Sequence, residues 1–205
     1  AHIAENLDLQ KILTNATSNW DGGYVIVGML GHGDAFVMRD PAGIRPAFYY
    51  ADDEVIVITS ERPAIQTAFS VPFGEIREIK PGHALIIKQN GYWVESKCIE
   101  PVEKSPCSFE RIYFSRGTDA EIYLERKKLG KMLTHTILKT VDYNLTDTVF
   151  SYIPNTAAVA YYGMVEALNE FCNKVKCEKL LQHKNELNEQ LINEILSFSP
   201  RVEKV

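Results

Sequence analysis

GYVIVGML-GHGD-AFVMRD-PAGIRP-AFYY, residues 23–50, decides the architecture. Its apolar runs are rich in β-branched and aromatic residues, and glycine, aspartate or proline clusters separate them, which is the pattern of short strands joined by tight turns. The pattern continues downstream. AFYYAD (47–52) and EVIVITS (54–60) flank an acidic turn at Asp52–Asp53, and residues 62–69 read as a short helix. EIREIK (75–80), ALIIKQN (84–90) and YWVES (92–96) follow, the last two joined at Asn90-Gly91. An Asn-Gly pair between alternating apolar residues predicts a hairpin whose two central residues take positive φ. Residues 23–96 are therefore expected to form one antiparallel sheet of hairpins. Upstream, Ile3, Leu7, Leu9, Ile12, Leu13 and Ala16 recur at helical spacing and predict one or two short helices within residues 1–19.

Beyond Cys98 the texture changes. IEPVEKSPCSFERIYFSRGTD (99–119) has two prolines and no steady period, so it reads as a connector. Ile122, Leu129, Met132, Leu133 and Ile137 then share a helical face in 119–141. VFSYI (149–153), the turn PNT and AAVAYYGMVEALNEF give strand, turn and helix, the rhythm of an α/β unit with a parallel sheet. A last helix is expected from Leu187, with the partner strands of this unit missing from the sequence. The organisation is α+β, divided as 1–97, a linker over 98–118, and 119–205.

Bulk chemistry narrows the function classes. Of 205 residues 45% are hydrophobic and 24% charged, and the formal net charge is −5, which disfavours a general nucleic-acid binder. No apolar run is long enough to cross a bilayer, and AHIAENLDLQ (1–10) has neither the basic nor the apolar region of a signal peptide. Cys98, Cys107, Cys172 and Cys177 form no C-x-x-C pair. Four scattered thiols fit a cytoplasmic protein with free cysteines and give no zinc-ligand spacing.

Arg39-Asp40-Pro41-Ala42-Gly43-Ile44-Arg45-Pro46 is a turn in which Gly43 supplies a conformation that a β-carbon would strain. Its two arginines and carboxylate are expected to pair with each other and lock it. With Ser60-Glu61-Arg62 fourteen residues on, and with Asp21-Gly22-Gly23-Tyr24 and Gly31-His32-Gly33 before it, this turn resembles the class II glutamine amidotransferases. His32 reads as a turn residue. Cys107-Ser108-Phe109-Glu110-Arg111-Ile112-Tyr113-Phe114-Ser115-Arg116 narrows the resemblance to the amidophosphoribosyltransferases. That likeness implies partial N-terminal-nucleophile-type αββα layers followed by the opening of an α/β phosphoribosyltransferase domain.

The resemblance implies several roles. Tyr113 would line the ammonia route between two active sites, where the absence of water keeps NH3 unprotonated and nucleophilic; the plain alternative is an aromatic core residue. Cys107 matches a cysteine that ligates an iron–sulfur cluster in some members, and no cluster is expected here. Ile153-Pro154-Asn155-Thr156-Ala157 opens a helix, whose unpaired N–H groups suit a phosphate. By resemblance Asn155 and Thr156 would contact the pyrophosphate end of phosphoribosyl pyrophosphate (PRPP), with Thr156 at its Mg²⁺. Many relatives have an acidic residue where Asn155 stands and serine where Ala157 stands, which weakens the metal contact. Either Asn155 or Thr156 also serves as a plain N-cap reading.

Members of this family release ammonia from glutamine and place it on PRPP, giving 5-phosphoribosylamine in the first step of purine biosynthesis; glutamine and PRPP are the implied partners, in a homo-oligomer. The glutaminase nucleophile of the family is an N-terminal cysteine, whereas residue 1 here is alanine and no cysteine precedes Cys98. The acidic PRPP signature is also absent, so no catalytic residue is assigned and the chain is expected to be inactive alone. Another class II amidotransferase, or a non-catalytic interaction or regulatory module, is the alternative. The first should show a pyrophosphatase-type loop or sugar-isomerase repeat after residue 108, and neither occurs.

Overall fold

The computed structural model describes residues 7–204, in two compact units that divide between Arg116 and Gly117. The helix readings within residues 1–6 lie outside the described residues. The remainder of that stretch forms α1 (Leu9–Thr17), which starts where the Asp8 carboxylate accepts the Lys11 N–H at 3.0 Å.

The strands of the first unit are β1 (Val25–Met29), β2 (Ala35–Arg39), β3 (Phe48–Ala51), β4 (Ile56–Thr59), β5 (Arg77–Glu78), β6 (His83–Ile87) and β7 (Trp93–Lys97). Helix α2 (Arg62–Phe69) follows β4, at the span its sequence predicts. The strands form two antiparallel sheets, in the orders β1-β2-β6-β7 and β4-β3-β5, where one sheet was expected. Strand alternation explains the split. Val37 and Leu85, in register across β2 and β6, face Ala47, Tyr49 and Ile79 of the second sheet. Their neighbours Met38, Ala84 and Ile86 face Leu9 and Leu13 of α1. On β3, Tyr49 turns inward while Phe48 and Tyr50 pack towards Ile65 of α2. The central strands thus bury both faces, and the layers run helix, sheet, sheet, helix. This is the αββα arrangement the resemblance implies.

The β6–β7 hairpin sits at Asn90-Gly91, but only Gly91 has positive φ, at +85°. Gly91 N–H donates to Lys88 C=O at 2.9 Å and Lys88 N–H to Tyr92 C=O at 2.8 Å. The loop is a type I turn followed by a left-handed glycine, one residue longer than the two-residue turn the dipeptide suggests.

The second unit contains α3 (Ala120–Thr140), β8 (Val149–Phe150), α4 (Ala158–Gln182), α5 (Glu189–Ser197) and β9 (Arg201–Val202). The Asp119 side chain caps α3 by accepting from Glu121 and Ile122 N–H. Helices α3 and α4 touch backbone to backbone at two glycines. A methyl on Gly130 would overlap the Ala160 carbonyl, and one on Gly163 would overlap the Lys127 carbonyl. Leu138, Leu145, Phe150, Leu168 and Cys172 fill the core below that crossing. The sequence reading left β8 without a partner. It has one: β9 pairs with it in parallel, Val149 with Arg201 and Phe150 with Val202. A two-residue strand carries too short an apolar period to be seen in sequence.

Candidate functional site

Three places carry the residues singled out by sequence. The first is the turn after β2. Asp40 is wholly buried. Its carboxylate accepts from Ala42 N–H at 3.1 Å, Ile44 N–H at 2.9 Å and Arg45 N–H at 3.1 Å. Arg39 is equally buried and donates to the carbonyls of Arg45, Gly43 and Ile79 while pairing with Glu78 at 2.9 Å. Gly43 takes φ +59°, with Pro81 and the Arg39 guanidinium against it, so a side chain there has neither conformation nor room. The expected pairing of Arg39, Asp40 and Arg45 with each other does not occur. Asp40 serves backbone N–H groups, and each arginine finds a distant glutamate: Glu78 for Arg39, Glu110 for Arg45. Burial works to raise the Glu78 pKa, yet contacts from Lys104 and Arg39 hold it below the usual carboxylate range.

The connector is ordered along this turn. Val102 N–H donates to Pro41 C=O, Ser105 N–H to Ala42 C=O, and Cys107 N–H to Ile44 C=O. It ends in a π-helical turn over Glu110–Phe114, which the lack of a steady period concealed. This is the second place. Tyr113 is 58% exposed, so the core-residue reading fails. Its ring stacks on Phe109 at 5.2 Å and meets Phe114 edge-on at 5.2 Å. Ser60 is exposed. Glu61 accepts from Arg116 Nε at 2.9 Å, beside the start of α2.

The third place is the Pro154–Ala157 turn leading into α4. Asn155 and Thr156 are exposed, and the Pro154–Asn155 peptide is cis. Neither side chain caps the helix: the N-cap is Ala157, with no side-chain hydrogen bond. The N-cap reading is therefore wrong, because the turn places Asn155 C=O on Ala158 N–H and leaves both polar side chains pointing to solvent. A recess of about 130 Å³ nearby is lined by Leu133, Ile137, Tyr152, Ala160 and Met164, with the buried, unpartnered hydroxyl of Ser151. Its lining is too apolar to receive an anion.

These residues do not make a protein-held Mg²⁺ site. The turn offers one hydroxyl and one amide, whereas Mg²⁺ is normally anchored by one or two carboxylates. Among the described residues no three His, Cys, Asp or Glu side chains converge on a common centre. All four cysteines are free. Burial raises the pKa of both Cys98 and Cys172, which makes them poor nucleophiles. His32 sits in the β1–β2 turn against Asp34 at 3.2 Å, as a turn residue should. Sequence reasoning passed over Glu78, which no local signal marks, and quoted Glu110 within its motif without foreseeing its pairing with Arg45.

No family model matches the chain. Curated relatives do. An amidophosphoribosyltransferase of Lachancea kluyveri is 30% identical over 176 residues, covering 80% of this chain and 34% of that protein. One from Pseudomonas aeruginosa is 31% identical over 156 residues, covering 72% and 30%. Among solved structures, the glutamine PRPP amidotransferase of Bacillus subtilis, complexed with ADP and GMP, superposes with a TM-score of 0.63 at 28% identity, over 82% of this chain and 36% of that one. A second, described as the allosteric regulatory enzyme of purine biosynthesis, gives 0.64 at 27% identity over 81% and 35%. The chain spans about a third of the length of the curated relatives it matches. Sequence and fold agree over the same share of the molecule, and the chain belongs with the amidophosphoribosyltransferases.

Proposed function

We propose that these residues serve an enzyme that moves glutamine-derived ammonia onto PRPP, giving 5-phosphoribosylamine, glutamate and pyrophosphate. The observation that carries this reading is the single stretch of similarity reaching from the αββα unit into the unit that holds the Pro154–Ala157 turn, 176 residues in one relative. On this reading residues 1–97 are the later half of a glutaminase domain and residues 119–205 open a phosphoribosyltransferase domain.

Asn155 and Thr156 contact the pyrophosphate end of PRPP. Their exposure and the lack of a side-chain cap at the start of α4 support this: Asn155 C=O takes the Ala158 N–H, and no side chain competes with an anion for the N–H groups that follow. Any Mg²⁺ accompanying the pyrophosphate would be held chiefly by phosphate oxygens, and the Thr156 hydroxyl would be the turn's contribution to it. Tyr113 lines an ammonia route; an exposed ring in an aromatic cluster suits a dry wall once covered. Val27 and Met29, exposed on edge strand β1, favour a homo-oligomer. The setting is cytoplasmic, in keeping with four free thiols.

Two assays on the 205-residue chain test the reading together. Glutamine hydrolysis should stay at background, because burial raises the pKa of the Cys98 and Cys172 thiols, and neither the half-buried Cys107 nor the exposed Cys177 is the N-terminal cysteine the family uses. Calorimetry with Mg-PRPP should show binding that Thr156→Ala weakens. Steady glutamine turnover, or PRPP binding indifferent to Thr156, would overturn the assignment.

A further inference from the structure

The two halves of the turn motif hold the exposed aromatic segment by its two ends, and we propose that Arg45 and Glu61 are positioning residues for it. Arg45 ion-pairs with Glu110, the first residue of the π-helical turn. Glu61 takes Arg116 Nε at 2.9 Å, two residues past its end. The Glu110 side chain is buried, so its charge depends on the arginine. Hydrogen bonds from Ser105 N–H to Ala42 C=O and from Cys107 N–H to Ile44 C=O lay the approach to the segment along the same turn.

Phe109, Ile112, Tyr113 and Phe114 are each about half exposed, so burial contributes less here than in the sandwich. Within the segment Arg111 N–H donates to Cys107 C=O at 3.4 Å, Ser115 N–H to Glu110 C=O at 2.7 Å, and the Ser115 hydroxyl to Arg111 C=O. The three rings contact one another at 5.2–5.6 Å between centroids and move as one body. A shift in the Asp40–Arg45 loop, or at the head of α2, is thereby passed to Tyr113 through a charged contact at each end. The claim concerns position; only the use of the rings rests on the ammonia-route reading.

Hydrogen exchange read by mass spectrometry on the 205-residue chain tests it, whatever PRPP or glutamine assays return. In Arg45→Met the amides of residues 111–115 should exchange about tenfold faster, the factor produced by ~1.4 kcal/mol of lost local stability. Amides of Val37 and Leu85 should keep their protection, and Arg45→Lys should restore part of it in the segment. Glu61→Gln, at the more exposed pair, should speed the same amides by a smaller factor. Wild-type exchange at 111–115 in either Arg45→Met or Glu61→Gln would overturn the proposal, as would no recovery in Arg45→Lys. If Arg45→Met unfolds the sandwich, Glu61→Gln decides alone.

Discussion

Two turns follow two strands in this molecule, and they are built in opposite ways. The turn after β2 has a buried carboxylate whose oxygens are filled by three backbone N–H groups, with a buried guanidinium spanning three carbonyls. The turn after β8 leaves its two polar side chains in solvent and its helix uncapped. Polar groups that are fully satisfied within the protein have no valence left for a ligand. The first turn is a fastening; the second leaves its side chains unengaged, as the proposed phosphate contact requires. A motif's value in recognising a family is therefore no guide to where the chemistry lies.

Breaking the fastening should have the largest effect. Asp40→Ala leaves three part-buried N–H groups without their acceptor and a cavity where a wholly buried carboxylate sat, and should cost about 3 kcal/mol, a large share of a domain's stability. Trp20 and Trp93 both lie in the first unit, so tryptophan fluorescence in urea reports that unit. The expected result is an early fluorescence transition with the helical circular dichroism of the second unit little changed. Gly130→Ala is the mirror experiment. Helix propensity alone predicts a gain of about 1 kcal/mol, and overpacking against the Ala160 carbonyl predicts a loss of about 3 kcal/mol. Contact should win, and the dichroism should melt first while the tryptophan signal holds.

Acid should sharpen the contrast more gently. Asp34, at the β1–β2 turn, is held at about 2 by hydrogen bonds from Lys88 and the Gln89 N–H, with His32 adding a lesser contact. A depressed folded-state pKa gives stability that is present above the ordinary carboxylate value, near 4, and is lost as pH falls towards 2. The tryptophan-reported midpoint should therefore drop across that window, and Asp34→Asn should flatten the drop. A wild-type slope in Asp34→Asn would place the sensitive carboxylate elsewhere.

Much of this was legible in the residues. The strands of 23–96 and helix 62–69 announced themselves because β-branched alternation and turn residues act locally. Their division into two sheets did not, because β2 pairs with β6 with β3, β4, α2 and β5 between them in sequence, and pairing between distant strands leaves no local period. The same limit hid the arginine partners: the nearest carboxylate in sequence was Asp40, and it went to the backbone instead. Gly130 and Gly163 carried no signal in the sequence, because what they permit is contact between two helices far apart along the chain. The openness of Asn155 and Thr156 was the reverse case, where local cap preference suggested a bond the turn geometry does not make.

The contrast between the two turns is tested most directly by amide NMR spectra of the 205-residue chain titrated with magnesium pyrophosphate. Shifts should concentrate on the amides of residues 155–160 and shrink in Thr156→Ala, a change expected to move stability by less than about 0.5 kcal/mol. The amides of Ala42, Ile44 and Arg45 should stay still. Shifts centred on those three amides, or none at the start of α4, would contradict the account.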